Sequence, residues 1–158
     1  MSVYTTIDSP IGEIVLTGTG GALTSVKIGV PAPNGATRDD APFAETVRQF
    51  AEYFAGDRTA FDLDLRPSGT AFQHRVWAEV AAVPYGKTTT YGEIAARIGA
   101  PRDRIRAVGA AVGANPLLIV WPCHRVIGAG GALTGYAAGI ERKRFLLTHE
   151  GALQPALI

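Results

Sequence analysis

The apolar positions of this chain change their period part-way along it. At first they recur as short β-branched runs: Val3-Tyr4-Thr5-Thr6-Ile7, then 12–17, then 23–28. Ser9-Pro10 and the glycine-rich 18–21 separate the runs, which predicts three strands joined by turns. Residues 29–40, with Pro31, Pro33 and Asn34-Gly35, read as loop. Phe43, Val47, Phe50, Ala51 and Phe54 then fall at helical spacing, predicting a helix over 41–55 that Gly56 stops. Residues 59–65 alternate, with Phe61, Leu63 and Leu65 on one face, and predict one more strand.

Arg66-Pro67-Ser68-Gly69 punctuates the chain, and after it the helical period dominates. Thr70 is placed to cap a helix over 70–82 whose inward stripe is Phe72, Val76, Trp77, Val80 and Ala81. A shorter helix over 91–98, with Ile94, Ala95 and Ile98 inward, is stopped by Gly99. Asp103 is placed to cap the next helix, 104–113, with Ile105, Val108 and Val112 on one face. Two short helices across a tight turn form the helix-turn-helix pattern. Asn115-Pro116 breaks the second, because the residue before proline is pushed out of the helical region. Residues 117–120 read as a buried strand running into Trp121-Pro122-Cys123. Val126-Ile127-Gly128 and 133–136 read as a hairpin with a glycine-rich tip. A last helix over 140–149 has Phe145 and Leu146 inward and Arg142, Lys143 and Arg144 outward, and the tail from Ala152 is expected to fray. The fold class is α+β: a sheet-and-helix unit over 1–66 and a helical unit over 67–158.

Composition adds little until it is split. At 158 residues, 47% hydrophobic and 18% charged, the chain has the makeup of a folded globular protein. It shows no secretory leader and no apolar run near the ~20 residues of a spanning helix, so a cytoplasmic protein off the membrane is expected. A single cysteine fits a reducing compartment. The net charge of +1 hides an asymmetry. Residues 1–68 carry five Lys/Arg against nine Asp/Glu, a net of −4, and residues 69–158 carry ten against five, a net of +5. A basic half beside an acidic one points to a polyanion for the basic half or to two ordinary solvated surfaces. The acidic half holds no Cys or His and reads as scaffold, with no metal site expected.

Two stretches carry candidate chemistry. The helix over 104–113 has almost no side-chain bulk: Ala107, Gly109, Ala110, Ala111 and Gly113. Glycine inside a helix costs roughly 1 kcal/mol relative to alanine, so another backbone, protein or nucleic acid, is expected to approach closely. Arg104 and Arg106 project from it. The second stretch is Trp121-Pro122-Cys123-His124-Arg125-Val126, which holds the only cysteine. A lone thiol in an apolar run is core filler or a nucleophile, and neighbouring basic groups favour the nucleophile. In an extended segment the Cys123 and His124 side chains would diverge, so contact between them needs a turn or a bridging water. His124 would need a carboxylate to orient it, and Glu150 is the best placed in the basic half.

Pro122-Cys123-His124-Arg125-Val126-Ile127 resembles the active-site motif of the methylated-DNA–protein-cysteine methyltransferases, the O6-alkylguanine-DNA alkyltransferases. Phe72-Gln73-His74-Arg75-Val76-Trp77, Pro84-Tyr85-Gly86, Thr90-Tyr91-Gly92-Glu93-Ile94-Ala95, Arg106-Ala107-Val108-Gly109, Asn115-Pro116 and Gly135-Tyr136 stand in the family's order at close to its spacing. The resemblance covers 70–151 well and 1–66 more loosely. It implies a ribonuclease H-like N-terminal domain and a winged helix-turn-helix-like C-terminal one. It also implies transfer of an alkyl group from O6 of guanine in double-stranded DNA, less often O4 of thymine, onto the protein's own cysteine. By resemblance Cys123 is the acceptor, His124 acts on it through a water, Glu150 orients His124, Tyr91 helps turn the nucleotide out, and Asn115 is the hinge before the active-site strand. Arg106 or Arg104 replaces the flipped base. Ala107, Gly109, Ala110 and Arg125 join the DNA contacts. Tyr136, Ala137, Val126, Trp121 and Leu118 line the pocket. No cofactor, metal or obligate protein partner is implied, and a monomer is expected.

The sequence departs from the pattern in places. One extra residue lies in the turn before Arg106, and Trp121 stands where the family has a small aliphatic residue. Competing readings are a winged-helix lesion sensor or regulator with a structural cysteine, and a Cys-His hydrolase.

Overall fold

The computed structural model describes residues 2–153, Arg102 for its backbone alone; the tail expected to fray lies, from 154 on, outside the described residues. The chain is α+β and forms two compact units. One runs to Ser68 and takes in Pro116–Val120; the other comprises Gly69–Asn115 and the chain from Trp121. The single boundary expected at 66/67 therefore leaves out a five-residue return to the first unit.

In the first unit β1 (Val3–Ile7), β2 (Ile14–Thr19) and β3 (Ala22–Ile28) make an antiparallel meander. A two-residue β4 (Thr37–Arg38), within the expected loop and too short to leave a period, pairs parallel to β1. Helix α1 (Ala44–Phe54) follows a 3-10 turn over Ala41–Phe43. Ile14, Leu16, Val26 and Phe50 are completely buried and form its core.

The strand expected over 59–65 is not one. Phe61, Leu63 and Leu65 are half-buried and Asp62 and Asp64 exposed, as the alternation predicts. Yet its backbone groups go elsewhere. The Asp62 N–H donates to the Gln49 side chain at 2.9 Å, and pairing is confined to Leu65 beside Leu23. Alternation reports which face is buried; it does not report whether a ladder forms. Residues 117–120 also fall short of a strand. Leu117 bridges Val26, and then the Val120 N–H turns back to the Leu118 carbonyl at 2.8 Å around Ile119, whose φ is 72°. That is a γ-turn of the strained hand, costly for a β-branched residue.

In the second unit Thr70 and Gln73 form a reciprocal capping box at the start of α2 (Ala71–Ala81). Val76, Trp77 and Val80 are buried, but Ala81, expected in the stripe, is exposed. The Trp77 indole N–H donates to the Ala111 carbonyl at 2.8 Å. A Cβ on Gly69 would come within 2.4 Å of the Trp77 ring, so that position requires glycine. Helix α3 (Tyr91–Arg97), capped by Thr90, and α4 (Ile105–Gly113) form the helix-turn-helix pair. Asp103 does not cap α4. A 3-10 turn over Arg102–Arg104 intervenes, opened by the Arg104 N–H on the Pro101 carbonyl, and α4 begins after it.

The hairpin expected after Cys123 is absent. β5 (Thr89–Thr90) and β6 (Val126–Ile127) pair parallel, and the glycines make a 3-10 turn over Ala129–Gly131 closed by the Gly131 N–H on the Gly128 carbonyl. Helix α5 (Ile140–His149) has the expected ends, but its face is turned. Lys143 is completely buried, with Leu146 and Leu147, while Phe145 is 37% exposed. Residues 143, 146, 147 and 150 share one stripe at i, i+3, i+4 and i+7.

Candidate active site

Two tight turns aim the Cys123 stretch. Pro122 sits at φ −81°, ψ 64°, and the Cys123 N–H bonds the Trp121 carbonyl at 2.8 Å, an inverse γ-turn. A 3-10 turn over Cys123–Arg125 follows, closed by the Arg125 N–H on the Pro122 carbonyl. This turn supplies what an extended segment cannot: Cys123, His124 and Arg125 point into three different environments, all buried.

Cys123 lines a cavity of about 190 Å³. This is smaller than the ~300–1,000 Å³ of drug-sized clefts and suits a single ring system. Gly109, Val112 and Gly113 of α4 form one wall, Tyr91 of α3 another, and Gly135, Tyr136 and Ala137 the rest. The bare face of α4 thus has a use: its missing side chains are part of the cavity. A wider cleft in the first unit, around Thr17, Lys27, Val30 and Pro33, is lined by no Cys, His, Asp or Glu.

His124 is completely buried. Its Nε2 lies 2.8 Å from Glu150 Oε2. Burial pushes the His124 pKa below the ordinary imidazole value against the pull of the Glu150 hydrogen bond and charge. A neutral ring here donates from Nε2 to the carboxylate, which leaves Nδ1 unprotonated. That Nδ1 is buried and has no hydrogen-bond partner among the described residues. Burial by itself would raise the Glu150 carboxyl, but hydrogen bonds and charge from His124 and Arg125 outweigh it and hold the group at about 2. Arg125 grips Glu150 through Nε (2.7 Å) and Nη2 (3.0 Å), donates Nη1 to the Val83 carbonyl (2.7 Å), and lies over the Tyr85 ring at 5.6 Å. Glu150 follows the C-terminus of α5, where the helix dipole disfavours an anion, so these partners are what keep it ionised.

The thiol itself is set high. Burial pushes Cys123 up to about 11, opposed by a hydrogen bond from the Asn115 side chain and by the charge of Lys143. Asn115 also donates Nδ2 to the Trp121 carbonyl at 2.8 Å. Lys143 is the residue that sequence reasoning missed. Its Nζ donates to the carbonyls of Val126 (2.6 Å), Thr134 (2.6 Å) and Gly135 (3.2 Å), tying the strand after Cys123 to the cavity wall. Burial lowers it to about 8, so it still carries its proton at neutral pH. The signal was the stripe it shares with Leu146, Leu147 and Glu150, masked by the charge run 142–144.

The other expected site residues divide. Tyr91, Gly109, Tyr136 and Ala137 do line the Cys123 cavity. The Tyr136 hydroxyl is buried without a hydrogen-bond partner among the described residues, and the Tyr91 hydroxyl accepts from Thr134 at 3.4 Å. Trp121, Val126 and Leu118 do not line it. The Trp121 ring packs on Trp77 at 5.6 Å, Val126 is core with its carbonyl taken by Lys143, and Leu118 is buried in the first unit. Arg125, expected on DNA, is instead committed to Glu150. Arg104, Arg106 and Ala110 are exposed and Ala107 half-buried. Among the described residues no group of three or more His, Cys, Asp or Glu is placed to hold a metal.

Comparison with known proteins decides the lineage of this arrangement. Residues 71–152 match the DNA-binding domain of 6-O-methylguanine DNA methyltransferase, and residues 2–67 match its ribonuclease-like domain. The chain belongs to the 6-O-methylguanine DNA methyltransferase family. A methylated-DNA–protein-cysteine methyltransferase of Mycobacterium tuberculosis is 50% identical over 157 residues, covering 97% of this chain and 94% of its own. One from Methanosarcina acetivorans is 47% identical over 154 residues, covering 94% and 98%. The crystal structure of Mycobacterium tuberculosis O6-methylguanine methyltransferase superposes with a TM-score of 0.89 at 49% identity, covering 99% of this chain and 96% of its own. The Mycobacterium tuberculosis OGT in complex with DNA gives 0.89 at 51%, covering 94% and 92%. This family's sheet-bearing N-terminal and helical DNA-binding C-terminal domains are the two folds described above.

Proposed function

We propose that this protein repairs DNA directly, moving the alkyl group of O6-alkylguanine in a duplex onto Cys123, once per molecule. The observation that carries this reading is Cys123 in a ring-sized cavity beside an imidazole that burial keeps neutral and Glu150 orients through Nε2, with Nδ1 open to take a proton. At rest the thiol is protonated, which protects it from stray electrophiles. In the loaded site its proton passes to His124 Nδ1 through a water, and the Glu150 carboxylate, kept ionised by Arg125, stabilises the imidazolium that forms. The sulfur attacks the alkyl carbon in line, the S–C bond forms as the C–O6 bond breaks, and the electron pair leaves with guanine. Tyr91, on the cavity wall, is placed to donate its hydroxyl proton as that charge develops. The product is a thioether on Cys123. The chain contains no second cysteine to displace the alkyl group, so turnover stops.

An alkyl carbon inside a base stack cannot be reached without extruding its nucleotide. The bare α4 suits the minor groove of such a distorted duplex, with Arg106 or Arg104 entering the vacated place. O4-alkylthymine is taken on the same geometry. The protein acts as a monomer without an obligate protein partner, in the cytoplasm; among the described residues no helix is long and apolar enough to cross a membrane.

The test is an intact mass after incubation with a duplex carrying one O6-methylguanine. A gain of one methylene, absent in Cys123→Ala, supports the reading. Tight binding without mass gain would establish a sensor instead, and repeated turnover on excess substrate would sink the single-use mechanism.

A further inference from the structure

Ile105 opens α4 with 39% of its surface exposed, one of the few large apolar side chains so left among the described residues. Helical spacing puts it in line with Gly109 and Val112, at i, i+4 and i+7. Both of those line the Cys123 cavity. The row therefore runs from the cavity wall outward, and Ile105 lies about one turn, about 6 Å along the axis, beyond Gly109. Val108 and Val112 on the same helix are buried, whereas Ile105 overhangs the end of the packed face. Its neighbours in sequence, Arg104 and Arg106, are both exposed cations.

A large aliphatic side chain between two arginines, one turn from a cavity that holds the nucleophile, matches a surface that is apolar locally and anionic around it. The edge of a base stack flanked by phosphates is such a surface. We propose that Ile105 is an apolar wedge for duplex DNA, packing on the base and sugar next to the extruded nucleotide while the flanking arginines take the phosphates or the vacated place. Minor-groove proteins use apolar wedges to unstack a base step and hold the duplex open. The wedge supplements the arginine: it covers the apolar face that the neighbouring base exposes once its stacking partner has left. This inference rests on the alkyl-transfer reading above.

A wedge matters only where a stack has to be opened. Single-turnover transfer from O6-methylguanine is therefore measured in a duplex and in the same strand alone, for the wild type, Ile105→Ala and Ile105→Leu. Loss of a stacking contact predicts a duplex rate about ten-fold lower in Ile105→Ala, with the single-strand rate within about two-fold of wild type. Ile105→Leu restores the duplex rate. Equal losses on both substrates, or no loss on either, overturn the wedge; the single-strand rate also reports whether the variant has folded its site. A wild type that transfers from neither substrate overturns the alkyl-transfer reading itself, and the wedge with it.

Discussion

Helices α4 and α5 both serve the Cys123 site, and they do so in opposite ways. Helix α4 contributes by subtraction. Gly109 and Gly113 leave space that becomes the cavity wall, and α4 turns no charge inward. Helix α5 contributes by addition. It buries the ammonium of Lys143, and the residue after its last turn buries the carboxylate of Glu150. A site can be built by withholding side chains or by burying charged ones, and only the first is visible as a departure from ordinary helix composition.

The largest test of that contrast is Glu150→Gln. It leaves the Arg125 guanidinium and the His124 ring buried without their anion. Removing one partner of a buried ion pair costs about 3–5 kcal/mol. The folded carboxyl sits at about 2 against an ordinary value of 4.5. A depressed carboxylate pKa contributes stability that is fully present above the unfolded value and lost as pH falls through the folded one. His124, also depressed, binds its proton more readily unfolded and acts in the same direction. Wild-type thermal stability should thus fall as pH drops from about 5 toward 2, and Glu150→Gln should start lower and flatten that limb. An unchanged acid limb in the variant would show that Glu150 is not the group responsible.

Next in size is Lys143→Met, which keeps the length of the stem and deletes three donors. Buried carbonyls left without partners cost about 1–3 kcal/mol. The variant also removes the positive charge that opposes burial in setting the Cys123 thiol. Transfer at neutral pH should fall about ten-fold and recover as the medium is made alkaline, since a pKa raised by one unit is a tenfold loss of thiolate. A purely structural role would lower the rate by the same factor at every pH, so the shape of the profile separates the two.

Most of the architecture was legible. Thr70 announced α2, Gly56 closed α1, and Asn115-Pro116 ended α4. What failed did so for a physical reason. Residues 59–65 alternate because one face is buried, but hydrogen bonding to Gln49 replaced the ladder that alternation suggests. The cap expected from Asp103 was displaced by a 3-10 turn in the segment that carries the extra residue. Within the site, Cys123, His124 and Glu150 were readable because nucleophile, base and orienting carboxylate form a known chemical set. Lys143 and Arg125 were not, because a cation is assigned to solvent or to an anionic ligand by default. The partners of Lys143 are backbone carbonyls 8 to 17 residues away in sequence, and that of Arg125 is a carboxylate 25 residues away, which no local pattern records. Trp121 was assigned to the pocket by the resemblance, whereas its ring packs on Trp77.

The smallest expected effect falls on α4 and has the opposite sign. Apart from its own turn of helix, nothing lies within 4 Å of a Cβ built on Gly113, and its backbone is not in the left-handed region. Alanine therefore fits without strain and restricts the unfolded chain, raising stability by about 0.5–1 kcal/mol. Gly113 also lines the Cys123 cavity, so the same methyl group takes up space meant for the substrate. Gly113→Ala should melt higher than wild type and transfer more slowly from O6-methylguanine. Larger alkyl groups should be hit harder, which competition between O6-methyl- and O6-benzylguanine duplexes would measure. On α5 every change to the site costs stability and activity together, because the charged groups that support the site are also the groups that hold the fold. On α4 the two come apart: the helix is less stable than its length allows because the cavity needs it bare. A Gly113→Ala chain that gained stability with its rate and alkyl preference intact would mean that the bare face is an accident of composition, and the contrast between the helices would fail.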